Sequence, residues 1–439
     1  RLPLEDADLT LPDGGARLAI SYTSEEGLEK QVGRTRKAFD RGRGWRILAN
    51  QGIYLADEKT EGKIAMLFPG QGTQYTGMLS ELKARYPVVQ KTFDEADEIM
   101  TPVLGRPLTD IIFPEESGMD EDEAREFLKQ TENTQPAVLT VDIALLRLLE
   151  QFGVNPDMVA GHSLGEYGAC VAAGVMSFPD ALRTVAQRGT QMAKASPLNG
   201  DNGLMASIPE NADKVQAVLD QVDGYVVCAN KNCPRQTIIA GLTKPVEQAV
   251  EIFEDEGHMV HMLEVSHAFH SKVVAEASEP LREHLDQTEI SSPVVDILTN
   301  VTGGFYPKGP DAPDEIRDLL AEQVASPVEF ISEVENMYDA GARIFIECGP
   351  KRAQTSFVDS ILKGKDVVSM YTNHPKDGDV GSIHNALARL WARGVWTDTK
   401  RRTQPRPEAA AATSGTTETA AAAQSPVPGP PSPDRETVV

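Results

Sequence analysis

The sequence predicts an α/β fold: a parallel sheet with helices on both faces, interrupted by a smaller βαββαβ unit. Three observations carry this. Short, continuously apolar runs alternate with amphipathic helical stretches, as in strands buried on both faces. One such run leads directly into the glycine-flanked serine of Gly161-His162-Ser163-Leu164-Gly165, with a helical pattern after it. Between about Gly203 and Val265 the rhythm changes to strand, helix, two strands, helix, strand.

In chain order, residues 1–60 read as a small α/β unit. Leu18-Ala19-Ile20-Ser21-Tyr22 has strand character, Glu25 to Asp40 is a charged helical stretch, and Ile53-Tyr54-Leu55 is a second short strand. Nothing chemical stands out there. Ile64-Ala65-Met66-Leu67-Phe68 ends at Pro69-Gly70 as a buried strand followed by a turn. Gln135 to Phe152 has helical spacing with Pro136 in its first turn. Asp157-Met158-Val159-Ala160-Gly161 is the next strand, and a helix begins near Ser163.

The inserted unit follows. Its strands are Leu204–Ile208, Tyr225–Cys228, Thr237–Ala240 and Val260–Glu264, and its helices Asn211–Gln221 and Val246–Glu256. That order is ferredoxin-like. Val294–Leu298, Arg343–Glu347 and Val367–Met370 return to the main sheet. From Gln404 onward the chain is rich in Ala, Pro, Thr and Ser, a composition that cannot bury enough apolar surface to offset ordering, so a disordered linker is expected.

Bulk properties narrow the function. The 439 residues exceed one compact core, and 40% are hydrophobic, enough for a sizeable interior. A formal charge of −24 repels nucleic acid and anionic membranes. Cys170, Cys228, Cys233 and Cys348 form no CxxC pair and no metal spacing, so neither a disulfide framework nor a zinc site is expected, and a reducing cytoplasm suits them. No apolar run approaches the roughly 18 residues that span a bilayer. The chain opens at Arg1 without methionine or a signal peptide, which fits a piece of a longer polypeptide.

Chemistry gathers at the serine. In Gly161-His162-Ser163-Leu164-Gly165 the glycines permit a sharp turn that lifts the hydroxyl above the strand ends. The helix that follows aims its free N–H groups and positive dipole end at any developing oxyanion. The bland alternative is a serine that caps a helix. A hydroxyl nucleophile needs a base. Val265-Ser266-His267-Ala268-Phe269-His270-Ser271 offers two histidines, between which spacing alone does not choose.

Four blocks decide by resemblance: Phe68-Pro69-Gly70-Gln71-Gly72, Thr134-Gln135-Pro136-Ala137, Gly161-His162-Ser163-Leu164-Gly165-Glu166 and His267-Ala268-Phe269-His270-Ser271. Gln187-Arg188-Gly189 and Glu347-Cys348-Gly349-Pro350 add to them. From Ile64 to Trp396 the chain resembles the malonyl-CoA:acyl-carrier-protein acyltransferase family. The form is that found inside type I polyketide synthases, the iterative, enediyne and polyunsaturated types included.

The resemblance implies a hydrolase-like core, with Ser163 as nucleophile and His270 as base. It implies backbone N–H groups of Gln71 and Leu164 as the oxyanion hole, and Arg188 on the free carboxylate of malonyl. The backbone carbonyl of Gln323 would orient the histidine in place of an aspartate. His267 and Phe269 would line the acyl pocket, where His-Ala-Phe-His goes with malonyl and Tyr-Ala-Ser-His with methylmalonyl. Leu164 stands where methylmalonyl enzymes often have glutamine.

The implied division is a preceding linker domain at 1–60 and a large subdomain at 61–200 and 267–385. The small subdomain occupies 201–266, a following linker 386–403 and the tail 404–439. The implied reaction moves malonyl from malonyl-CoA to the phosphopantetheine thiol of an acyl carrier protein, with no metal or other cofactor. A ketosynthase would precede the piece in its synthase, and the setting is cytoplasmic. The alternatives are a serine hydrolase with water as acceptor and a non-catalytic docking module. Arg188 could otherwise pair with a surface carboxylate, and His162 is expected to pack rather than react.

Overall fold

The computed structural model describes residues 15–22, 24–195, 198 and 200–395. The expected tail at 404–439 and residues 396–403 of the following linker lie outside the described residues. Strands β1 (Arg17–Ile20) and β2 (Ile53–Ala56) pair antiparallel and flank the helix Glu25–Arg41. Ser24 caps that helix by accepting the Gly27 N–H at 3.1 Å, and Gly42 ends it in the left-handed conformation. A small core of Ala38, Leu48 and Ile53 holds the unit together. It packs against the helix Asp379–Ala392. The boundary expected at 385/386 falls within this helix.

Strands β3 (Lys63–Phe68) and β4 (Met158–Gly161) come next. They are followed by β5 (Leu204–Ile208), β6 (Val226–Cys233), β7 (Gln236–Gly241) and β8 (His261–Met262). The last three are β9 (Asp296–Ile297), β10 (Ala342–Glu347) and β11 (Val368–Tyr371).

The central sheet has the order β11-β10-β3-β4-β9, and every neighbouring pair is parallel. Its strands are apolar throughout because both faces are covered. In β3, Ile64, Met66 and Phe68 enter one hydrophobic cluster while Ala65 and Leu67 enter another on the opposite side. The register sets Phe68 beside Gly161, so the loops leaving β3 and β4 emerge side by side at the carboxyl ends of the strands.

The second sheet is antiparallel with the order β6-β7-β5-β8, and the helices Ala212–Leu219 and Thr243–Asp255 complete a βαββαβ sequence around a core of its own. Its last strand is shorter than expected: only His261 and Met262 pair, and both are exposed at the sheet edge. β9 is also short, since the N–H of Val294 is drawn away to the carbonyl of Ala173. The helix expected from Gln135 begins at Thr131, so Pro136 lies inside it rather than in its first turn. The Thr134 hydroxyl, donating to Gln130 O at 3.0 Å, anchors the added turn. Among the described residues no helix is long and apolar enough to cross a membrane.

Candidate active site

The turn after β4 is sterically determined. A side chain at Gly161 would bring its Cβ to 2.0 Å from the Gly165 carbonyl carbon, and one at Gly165 would come to 1.9 Å from Phe68 O. Ser163 occupies the left-handed region at φ 53°, unusual for a residue with a side chain. Its N–H donates to Asn300 Oδ1 at 2.5 Å, while Asn300 Nδ2 donates to Gly161 O at 2.5 Å. One buried asparagine thus clamps both sides of the turn. The helix proper starts at Gly165, with Leu164 as its cap.

Ser163 Oγ lies 2.7 Å from His270 Nε2. His270 Nδ1 donates to two backbone carbonyls, Gln323 O and Ser326 O, each at 3.1 Å. That places the ring proton on Nδ1 and leaves Nε2 to accept from the serine. Burial, aided by the Arg188 charge and by His162, pushes the imidazole pKa down to about 3, so it stays neutral. His270 also sits at positive φ, 57°.

Arg188, on the helix Phe178–Lys194, is 1% exposed. Nη1 donates to Gln135 Oε1 at 3.0 Å, and Nη2 to Gln323 Oε1 at 2.9 Å and to Ser163 Oγ at 3.3 Å. Burial pushes its pKa down. The Gln323 side chain donates in turn to Ser163 O at 2.7 Å and Glu166 Oε2 at 2.6 Å. Glu166 is itself buried and accepts from the Tyr306 hydroxyl and from the Asn300 N–H.

A cleft of about 420 Å³ opens at the serine, between the central sheet and the four-stranded unit. Gln71, Ser163, Phe269 and His270 line it, together with Met205 and Ile238 of the four-stranded unit. The Gly70–Gln71 loop abuts the turn after β4: a Cβ on Gly70 would sit 2.4 Å from His162 O and 3.6 Å from the Leu164 nitrogen. The Gln71 side chain is tied to Thr131, whose hydroxyl donates to it at 2.7 Å.

Most residues expected at the site converge. His267 stands apart. It is buried beside Phe269, ring centroids 6.4 Å apart, and does not line the cleft. The Phe269 N–H bonds back to His267 O, and this tight turn presents Phe269 and His270 instead. Among the described residues Arg188 pairs with no surface carboxylate. His162 packs as expected and bonds Asn232 of the four-stranded unit at 2.7 Å. All four cysteines are buried.

Sequence reading missed Asn300, the Ser326 carbonyl, and the side-chain parts of Gln135, Gln323 and Glu166. Glu166 directly extends the serine motif, and Asn300 lies three residues beyond β9, at the strand-end edge where sites gather. Those positions were the available signals.

A strained serine against a neutral histidine, on an α/β sheet, defines the class of proteins that do acyl-group chemistry through a serine. The model of the acyl transferase domain family matches residues 65–386, and the chain belongs to that family. It is 40% identical over 303 residues to the malonyl CoA-acyl carrier protein transacylase of Bacillus subtilis (strain 168), covering 68% of this chain and 90% of that protein. It is 32% identical over 374 residues to the PKS-NRPS hybrid synthetase ATPKS of Aspergillus niger, covering 81% of this chain but only 20% of the synthetase. Among solved structures it is similar to the acyltransferase domain from the second module of the salinomycin polyketide synthase. There the TM-score is 0.74 at 30% identity, over 92% of this chain and 88% of the other.

Proposed function

We propose that the chain transfers malonyl from malonyl-CoA, through an ester on Ser163, to the phosphopantetheine thiol of an acyl carrier protein. The observation that carries this reading is the buried Arg188 guanidinium 3.3 Å from Ser163 Oγ, held only by neutral groups. A fork of that kind suits the free carboxylate of a malonyl group on the serine.

In the first half-reaction His270 Nε2 takes the Ser163 hydroxyl proton as Oγ attacks the thioester carbon. The oxyanion faces the N–H groups of Gln71 and Leu164. The Ser163 N–H takes no part, being committed to Asn300. As the C–S bond breaks, coenzyme A leaves with the proton from His270. In the second half His270 deprotonates the carrier thiol, sulfur attacks the acyl carbon, the C–O bond breaks and Ser163 Oγ regains its proton. The Gln323 carbonyl, together with that of Ser326, orients His270, so no acidic third member is required. Phe269 and, through it, His267 shape the acyl pocket.

Residues 61–200 and 267–385 form the large subdomain in this reading and 201–266 the small one, with 1–60 preceding and 386–403 and 404–439 following. A ketosynthase precedes the piece in its synthase, and the setting is cytoplasmic, which suits four buried cysteines without a CxxC pair. Intact-mass spectrometry with malonyl-CoA tests the core claim. An adduct of malonyl mass should form and then disappear when holo carrier protein is added. An adduct lost equally fast without the carrier would mark a hydrolase, and no adduct a docking module.

A further inference from the structure

Arg188 is almost fully buried, yet every group bonded to it is neutral. Gln135 Oε1, Gln323 Oε1 and Ser163 Oγ accept its protons, and among the described residues no carboxylate forms an ion pair with it. Buried cations ordinarily gain from a carboxylate partner, because desolvation is otherwise poorly offset. A glutamate would fit either glutamine position in shape.

Both amides are fixed in orientation by their other contacts. Gln323 Nε2 is committed to Ser163 O and Glu166 Oε2, so its oxygen must face Arg188. Gln135 Nε2 donates to Thr131 Oγ1 at 3.1 Å and approaches Met192 sulfur at 3.5 Å, so its oxygen also faces Arg188. Glu166 is kept one side chain away, with Gln323 between it and the guanidinium.

We infer that Gln135 and Gln323 determine specificity: because the oxygens they offer Arg188 are neutral, its charge stays free for the carboxylate of the acyl group on Ser163. The inference rests on the reading of Arg188 as the carboxylate-binding residue. A carboxylate at either position would satisfy the guanidinium internally and favour neutral acyl groups.

The test uses the full chain and measures single-turnover loading from malonyl-CoA and from acetyl-CoA separately, by intact mass. Gln135→Glu should lower the malonyl-to-acetyl rate ratio by at least about tenfold. Gln135→Leu, which removes the acceptor without adding charge, should leave the ratio within about threefold of wild type. A Gln135→Glu protein with the wild-type ratio overturns the inference. If that variant fails to fold, Gln135→Leu decides alone: a preserved ratio supports the inference, and a fall of about tenfold means that Gln135 merely holds the guanidinium in place and overturns it. Arg188→Ala separates the two levels. An unchanged ratio there removes the carboxylate-binding reading itself, whereas a changed ratio with an inert Gln135→Glu removes only the part given to the glutamines.

Discussion

The two walls of the cleft are built on different plans. On the side of the parallel sheet, Ser163, His270, Arg188, Gln323, Glu166 and Asn300 form one buried, interlocked polar network. On the side of the four-stranded unit, Met205, Ile238, Leu263 and Val265 line the cleft together with the polar Asn230, Asn232 and Glu264. That unit ends in an edge strand of two exposed residues. Polar contacts that join the sides include His162 to Asn232 at 2.7 Å, Lys231 to Glu329 at 2.6 Å, and the backbone bond from the Lys231 N–H to Val328 O at 2.9 Å. Reaction geometry is thus concentrated in one wall, where a displacement of a single group disturbs several bonds. The other wall offers fit, which tolerates change.

The sharpest way to break this contrast is Ser163→Ala. Malonyl loading should fall by about 10⁴-fold or more with the melting temperature little changed, as judged by intact mass and a thermal melt. A stable malonyl adduct on that variant would remove the nucleophile from the polar wall.

Next comes Arg188→Ala, which leaves the malonyl charge unpaired in a dry site. Malonyl loading should drop by about 10²-fold, with acetyl loading held or raised. Competition between the two coenzyme A esters reads this directly, and equal loss of both would make Arg188 structural.

Asn300→Ala strips the partners from the Ser163 N–H and Gly161 O. It should slow acylation by at least about tenfold through kcat rather than KM. An effect confined to KM would show that the clamp does not hold the nucleophile.

The His270 environment predicts a pH signature. Folded His270 titrates near 3, while an unfolded histidine titrates near 6.5. The unfolded chain therefore binds the extra proton below about pH 6.5. The His270 contribution to stability should fall with acidification from there, by up to about 1.4 kcal/mol per pH unit. Urea titrations of wild type and His270→Gln at pH 7 and 5 measure the difference, and the opposite sign would mean that His270 is charged in the fold.

The smallest effect belongs to fit. Phe269→Ser should raise methylmalonyl use by about 1–3 kcal/mol in relative kcat/KM, because it opens the space that an α-methyl group needs. Wild type loading methylmalonyl as readily as malonyl would end the argument from crowding.

What the sequence made legible follows the same divide. Ser163 and the strand before it were readable because the elbow motif is contiguous in sequence, although only Gly161 is demanded by neighbours within a few residues and Gly165 is demanded by Phe68 and Pro69. His270 and Arg188 needed the family resemblance, since nothing local distinguishes His270 from His267 or Arg188 from a surface arginine. Asn300 was invisible because its work is to bridge Gly161 and Ser163, more than a hundred residues earlier. Gln135 lay in a quoted block without a role, because its part depends on which way an amide faces. Apolar periodicity likewise located the strands of both sheets but overestimated β8 and β9. Periodicity reports the wish to be buried, whereas strand length depends on having a partner along the edge.

Among the described residues only four non-glycine positions have positive φ: Leu79, Ser163, His270 and Lys351. The reacting pair makes up half of them. A backbone held there costs about 1–3 kcal/mol at each position, and glycine relieves it. Selection on stability alone would drift toward glycine at both places and erase the chemistry. Ser163 and His270 therefore mark where durability and turnover pull in opposite directions. A library screened only for heat resistance should enrich Ser163→Gly among its survivors, and these would be tougher proteins that no longer carry acyl groups.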